Sequence, residues 1–245
     1  MTSSARHLLS LLIAPVLAML LLAPAHAVPS LSNGGFEAGL SGWTTADQTG
    51  SDGTFYVQSG ILSPASGSDV PAPPQGTSAA MSDAGAPGSH VLYQDFVASA
   101  GNATLSFQLF IGNRADAFYT PATLDFSTPE LNQQARVDIL TTSADPFSVM
   151  AADILITLYQ TNIGDVLVDG YFTVSQDISA LLAAHSGETL RLRFAEVDNV
   201  FISQMGVDNV RFESNEIPEP ALSLLLGIAL LALVATPARW RNQRR

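Results

Sequence analysis

Between residues 55 and 213 apolar and polar positions follow one another with a period of two. Leu105, Phe107, Leu109 and Ile111 are interleaved with Thr104, Ser106, Gln108 and Phe110. Leu190, Leu192 and Phe194 alternate with Arg191 and Arg193, and Val137 and Ile139 with Arg136 and Asp138. Such alternation is what a sheet needs when one face is covered by a second sheet. Further strands are expected at Phe55–Ile61, His90–Ala98, Ile154–Tyr159, Gly170–Ser175 and Met205–Glu213. Eight or more short strands separated by Gly, Pro, Asn and Asp turns predict an all-β, antiparallel jelly-roll sandwich. One stretch breaks the pattern: Ile178, Leu181 and Leu182 fall at helical spacing, with Asp177 or Ser175 placed to cap a short helix over 177–184.

Two segments read as loops. Residues 63–76 contain Pro64, Pro71, Pro73 and Pro74, which exclude a central strand. Residues 114–134 mix Phe118, Tyr119, Phe126 and Leu131 with Pro121 and Pro129, and a loop of that length either carries function or packs on the core.

Both ends of the chain have a different pattern. Arg6, the apolar run Leu8 to Ala23 and Ala25-His26-Ala27 have the charge, length and small-residue ending of an export signal, so residues 1–27 are expected to be removed and the mature chain to begin at Val28. Ala221 to Ala238 is uncharged and is followed by Arg239, Arg241, Arg244 and Arg245. At about 1.5 Å per residue it is just long enough for a transmembrane helix over 221–238. The basic end places the tail (239–245) in the cytoplasm and the preceding domain outside.

The middle, residues 28–213, is long enough for one domain with a real core. It has no cysteine, so thiol chemistry and disulfide staples are excluded. All 22 carboxylates lie between Val28 and Glu219 against five arginines, a net charge of −17, and lysine is absent throughout. Such a surface repels nucleic acid and anionic lipid, and suits neutral polysaccharide or divalent cations.

Candidate chemistry is sparse. Asn33-Gly34-Gly35-Phe36-Glu37 near the start and Gly206-Val207-Asp208-Asn209-Val210 near the end form the most informative pair. In the second, apolar positions run odd at Met205 and Val207, then even at Val210 and Phe212. The slip across Asp208-Asn209 predicts a β-bulge. If the two segments are neighbours, Glu37 and Asp208 converge as the metal ligands of a structural Ca2+ site; the opposing reading has Asp208 and Asn209 satisfying turn amides and Glu37 in solvent. Trp43, Tyr56 and Tyr119 are candidate glycan-binding aromatics, although Trp43, between Gly42 and Thr44 at a strand start, suits the core better. No catalytic residues are assigned. His90 and His185 lack metal spacing, no Gly-x-Ser-x-Gly occurs, and Asp116, Glu196 and Asp198 read equally well as solvated loop residues.

Pro218-Glu219-Pro220, the apolar span and the Arg239-x-Arg241 tail together resemble the PEP-CTERM sorting signal (residues 214–245) of exopolysaccharide-producing Gram-negative bacteria, with Ile217 where valine is commoner. The resemblance implies a substrate of signal peptidase and then of an exosortase, a membrane transpeptidase-like enzyme recognising Pro218, Glu219 and Pro220. The domain would be anchored to the inner membrane on the periplasmic side, then pass to the cell surface or extracellular matrix, in association with exopolysaccharide or biofilm. The segments 33–37 with Trp43, 174–182, 190–194 and 206–212 resemble galactose-binding-like jelly rolls of carbohydrate-binding modules, which implies calcium between the first and last strands. The leading expectation is an exported, non-catalytic surface or matrix protein. A carbohydrate-binding module with its own glycan affinity is the alternative. An extracellular hydrolase is a third, and would require a cleft with convergent acids of perturbed pKa.

Overall fold

The computed structural model describes residues 28–214; the expected signal peptide and the sorting segment, with its predicted membrane helix, lie outside the described residues. Residues 28–214 form one compact unit. It is an all-β, antiparallel, two-sheet jelly-roll sandwich with one short helix. In chain order the elements are β1 (Thr44–Asp47), β2 (Thr54–Gln58), β3 (Ala79–Asp83), β4 (Gly88–Val97), β5 (Ala103–Asn113), β6 (Gln133–Thr141), β7 (Ile154–Gln160), β8 (Phe172–Asp177), α1 (Ser179–Ala184), β9 (Thr189–Asp198) and β10 (Ser203–Ser214). The first sheet has the order β1-β4-β9-β6-β7 and the second β2-β3-β10-β5-β8.

The alternation read from the sequence is the alternation that packs. Leu190, Leu192 and Phe194 of β9 face Leu105, Phe107, Leu109, Met205 and Val207 of the other sheet in one core. A chain of rings runs through it: Phe36 to Trp43 at 5.2 Å, Trp43 to Phe194 at 5.9 Å, and Phe194 edge-on to Phe107 at 5.2 Å. Tilted and edge-to-face contacts of this kind place ring edges on ring faces and add to the area they bury.

The opposite face of the first sheet is covered by loops. Val91, Ala195 and Val197 pack under Leu124, Phe126, Phe147 and Val149. Asp138 accepts from Arg136 at 2.7 Å and from Arg193, and Arg193 also donates to the Pro146 and Ser148 carbonyls at 2.7 Å. That buried network fastens the segment between β6 and β7 to the sheet. Burial works to raise the Asp138 carboxyl, but the two guanidinium groups hold it below its ordinary value.

Two strands had no readable signature. Thr44–Asp47 is short, and Ala79–Asp83 is buried at every position, so it shows no alternation. The helix begins two residues later than its spacing suggested. Its N-cap position is Ile178, which makes no side-chain cap, and Asp177 instead accepts from the Ser179 amide at 2.9 Å. Residues 63–76 form no strand, as their prolines require.

Candidate functional site

Two groups of acids stand out, one expected and one not. The expected group lies where the start of the domain meets β10. The β10–β5 register shifts between Asp208 and Arg211, and Asn209 takes φ +53°, so the predicted bulge is present. The Val210 amide donates to the Gly34 carbonyl at 2.8 Å. A Cβ on Gly34 would collide with the Val210 carbonyl oxygen, which explains a glycine at that position.

The bulge holds Asp208 fully buried, accepting from the Gln75 amide at 3.0 Å and the Asn209 amide at 2.6 Å. Glu37 approaches the same loop from the other side, accepting from the Thr77 and Ser78 amides at 2.8 and 2.9 Å and from the Thr77 hydroxyl at 2.9 Å. Burial, with the Glu37 charge adding to it, pushes the Asp208 carboxyl up to about 6 against the pull of its two amides. Glu37 is held below its ordinary value by the Thr77 and Ser78 amides, so the cost of the repulsion falls on Asp208.

The Glu37 charge acts on Asp208, and each carboxylate satisfies loop amides, Asp208 from within the fold and Glu37 from the exposed side. A buried carboxyl opposed by a second one is relieved by positive charge, so Glu37 and Asp208 are the residues that could meet a hard cation. Among the described residues no cluster of three His, Cys, Asp or Glu side chains is disposed to hold a metal.

The aromatic candidates do not form a site. Trp43 is 8% exposed, wedged between Phe36 and Phe194, with its indole N–H donating to the Asn33 carbonyl at 3.1 Å. Its face is covered by the core, which overturns a stacking role. Tyr56 sits in β2 of the second sheet, whereas Tyr119 bridges to Gln133 of the first and donates to Asp116 at 3.3 Å. The three do not converge.

The unexpected group lies at one end of the sandwich. Inward alternation along β9 continues past Phe194 to Glu196 and Asp198, so these are buried strand residues rather than solvated loop residues. Glu196 pairs in register with His90 of β4, and Asp198 with Gly88. Asp198 accepts from the Gly88 and Ser203 amides at 2.9 and 3.1 Å. Burial pushes it up to about 7, with the Asp52 and Asp83 charges adding to the effect and the two amides opposing it. Burial and the neighbouring Asp198 drive Glu196 well above its ordinary value, although the Ser203 and Ser82 hydroxyls bond to it. Glu196 Oε1 and His90 Nε2 find no hydrogen-bond partner among the described residues, while His90 Nδ1 lies 2.8 Å from Asp47 Oδ1.

Above this group the 199–202 turn is locked from below. The Gln133 side chain donates to the Phe201 carbonyl at 2.7 Å and accepts from the Val200 and Phe201 amides at 3.3 Å. Asn199 donates to the Phe126 and Glu130 carbonyls at 3.1 and 2.9 Å and accepts from the Asn132 amide at 2.7 Å. The long 114–132 segment is thus divided. Phe118 and Leu124 are buried in the core, whereas Ser127 to Leu131, with Phe126, Pro87 and Asn199, line a shallow groove. Phe201, 58% exposed, lines a second, smaller pocket that shares Pro87 with this groove.

No family model matches this chain, and no curated protein matches it. Several solved structures are similar to it. TmCBM61, in complex with β-1,4-galactotriose, is 11% identical, with a TM-score of 0.46 over 77% of this chain and all of that one. The K3 cleaved adhesin domain of Lys-gingipain from Porphyromonas gingivalis is 13% identical, with a TM-score of 0.44 over 78% of this chain and all of that one. A cyclase from Fischerella sp. TAU, in complex with 4-(1H-indol-3-yl)butan-2-one, is 19% identical, with a TM-score of 0.44 over 78% and 100%. At these identities and TM-scores the likeness decides nothing about function, which is left to the site itself.

Proposed function

We propose that the chain is an exported, surface-delivered β-sandwich that binds extracellular glycan and performs no chemistry on it. The observation that carries the reading is Phe201. A tight turn held by three hydrogen bonds with one buried glutamine presents a large aromatic ring to solvent at a small pocket, which shares Pro87 with a groove edged with Ser127, Thr128, Glu130 and Asn199. Rigid display of apolar area next to polar loop groups suits a pyranose, whose C–H face stacks on a ring while its hydroxyls bond at the rim. The strongly acidic surface disfavours anionic partners.

Delivery rests on the sequence signals. Signal peptidase would cut after Ala27, the 221–238 helix would hold the domain at the inner membrane, and an exosortase would act at Pro218-Glu219-Pro220 before release to the surface or matrix. The N-terminus of the mature protein and loss of processing on Pro220→Ala test this route. A calcium ion would be held by Glu37 and Asp208, tying the 75–78 loop to the bulge; its contribution would be structural.

The hydrolase reading meets its own requirement only in part. Asp198 and Glu196 do converge, but Glu196 is buried and lines neither the groove nor the pocket beside it, so the two acids are not presented together to a substrate. The test is titration of the full chain with a panel of oligosaccharides, with reducing-end release measured alongside. We expect saturable binding without cleavage, weakened about ten-fold or more by Phe201→Ala at unchanged melting temperature. Flat isotherms across the panel would leave plain structural presentation as the function, and product release would restore the enzyme.

A further inference from the structure

Beside the groove is a smaller pocket of about 140 Å³, walled by the 85–87 and 200–202 turns and reaching Asp198. Its walls are mainly apolar, with Pro87, Val200, Phe201 and Ile202, and Asp198 is the one ionisable group among them. Around Asp198 lie the buried Glu196, His90 and Asp83, and the exposed Asp52, which accepts from the Gly85 amide at 2.7 Å. The charges of Asp83 and Asp52 act on Asp198, as that of Asp198 acts on Glu196. Asp83 is engaged elsewhere, accepting from the Ala65 and Ser66 amides at 2.7 Å. Asp47 takes the Nδ1 side of His90, leaving Nε2 and Glu196 Oε1 as buried polar atoms without partners beside the acid.

No cation of the domain answers this group. Lysine is absent from the chain, and all five domain arginines are committed elsewhere. Arg136 and Arg193 bond Asp138, Arg191 bonds Asp95, and Arg211 bonds Glu213. Arg114 donates to Gln204 and to the Asp69 carbonyl. A buried carboxyl among further acids needs either a proton or a cation from outside. The described acids and histidines form no three-ligand metal cluster, and apolar walls ending in an aromatic ring suit an organic ammonium better than a hydrated metal ion.

We propose that this pocket takes the protonated amine of an amino-sugar residue, the ammonium on Asp198 and the sugar ring against Phe201, so that the glycan this protein selects is a cationic one. The inference rests on the glycan reading and narrows its substrate class. Attraction between the acidic surface and a positively charged polymer adds long-range steering, which salt weakens.

The experiment is calorimetric titration of the full chain with β-1,4-linked glucosamine oligomers and with their N-acetylated counterparts, matched in length. The free-amine form is expected to bind about ten-fold or more tightly, because a hydrogen bond between two charged groups exceeds a neutral one. Asp198→Asn should bring the two affinities together, and Asp95→Asn, which removes an acid distant in the fold, should not. Ala86→Trp, which fills the pocket from an exposed turn, should also abolish the preference, and it serves if Asp198→Asn does not fold. Equal affinities in the unaltered protein would overturn the amine proposal while leaving glycan binding intact. A preference that survives both Asp198→Asn and Ala86→Trp would reduce it to unspecific charge attraction. Absence of binding by either oligomer or by neutral glycans would remove the glycan reading and this proposal together.

Discussion

Asp208 and Asp198 make an instructive pair. One aspartate lies on β10 and the other at the end of β9, both accept two backbone amides, and in both burial outweighs those amides and raises the carboxyl. They differ in their surroundings. Asp208 has one exposed acidic neighbour, Glu37, and is covered by the 75–78 loop. Asp198 has the buried acids Glu196 and Asp83 and the exposed Asp52 around it, and lines a pocket. A carboxyl closed over by a loop serves that loop, whereas one left beside a pocket is placed to meet something that enters. Two amides do not decide between these roles; access does.

Glycine substitutions break the two sites unequally. Gly34→Ala drives a methyl into the Val210 backbone and should lower stability by about 3 kcal/mol in denaturant unfolding. Gly88→Ala meets the His90 ring and, at 2.8 Å, the Asp52 carbonyl; the imidazole can turn in part, so a loss of about 2 kcal/mol is expected. A larger cost at Gly88 would mean that the buried acids constrain the fold more than the bulge does.

Acidity gives the next contrast. A folded-state value of about 7 for Asp198 lies above the unfolded one, so the native protein holds the extra proton between them. Stability should be greatest below about pH 4 as far as this group is concerned, and fall by a few kcal/mol as pH rises through 7. Asp208, raised to about 6, contributes the same sign over a narrower window. Glu37, held low, acts oppositely: its contribution is present above its unfolded value and lost as pH falls through its lowered one. Asp198→Asn should flatten the upper part of a melting-temperature profile between pH 5 and 8 by removing a proton of roughly neutral pKa. An unchanged slope would show that Asp198 does not titrate in this range.

Calcium sharpens the comparison further. Removing it with a chelator should lower the melting temperature in the unaltered protein and leave Asp208→Ala unaffected, while Asp198→Asn keeps the response. Coincident melting curves with and without chelator would end the calcium proposal. The smallest expected effect is that of Phe201→Ala on stability, within about 0.5 kcal/mol, since the ring is exposed and the turn is held by Gln133.

Much of this was legible in the residues. The slip from Met205 and Val207 to Val210 and Phe212 announced the bulge, and the proximity of Glu37 and Asp208 followed from pairing the two glycine- and acid-bearing segments. Glu196 and Asp198 were legible in principle, because they continue the odd-even phase of Leu190, Leu192 and Phe194. Polarity read residue by residue placed them in solvent instead. Phe201 carried no signal, since a phenylalanine in a turn reads like one in a strand until Gln133 is found beneath it. Trp43 had two readings, and its ring contacts with Phe36 and Phe194 chose the core.

By itself the sequence determined the two-layer β architecture, the one helical interruption and the surplus of negative charge, because periodicity and composition are local or additive properties. Tertiary structure decided which acids lost their water and which aromatic kept its exposure. Those outcomes depend on strands far apart in the chain, β4 against β9 and β10 against β5, and on loops that close over one carboxylate and leave another beside a pocket. Desolvation is a property of the assembled surroundings, and no single segment carries it.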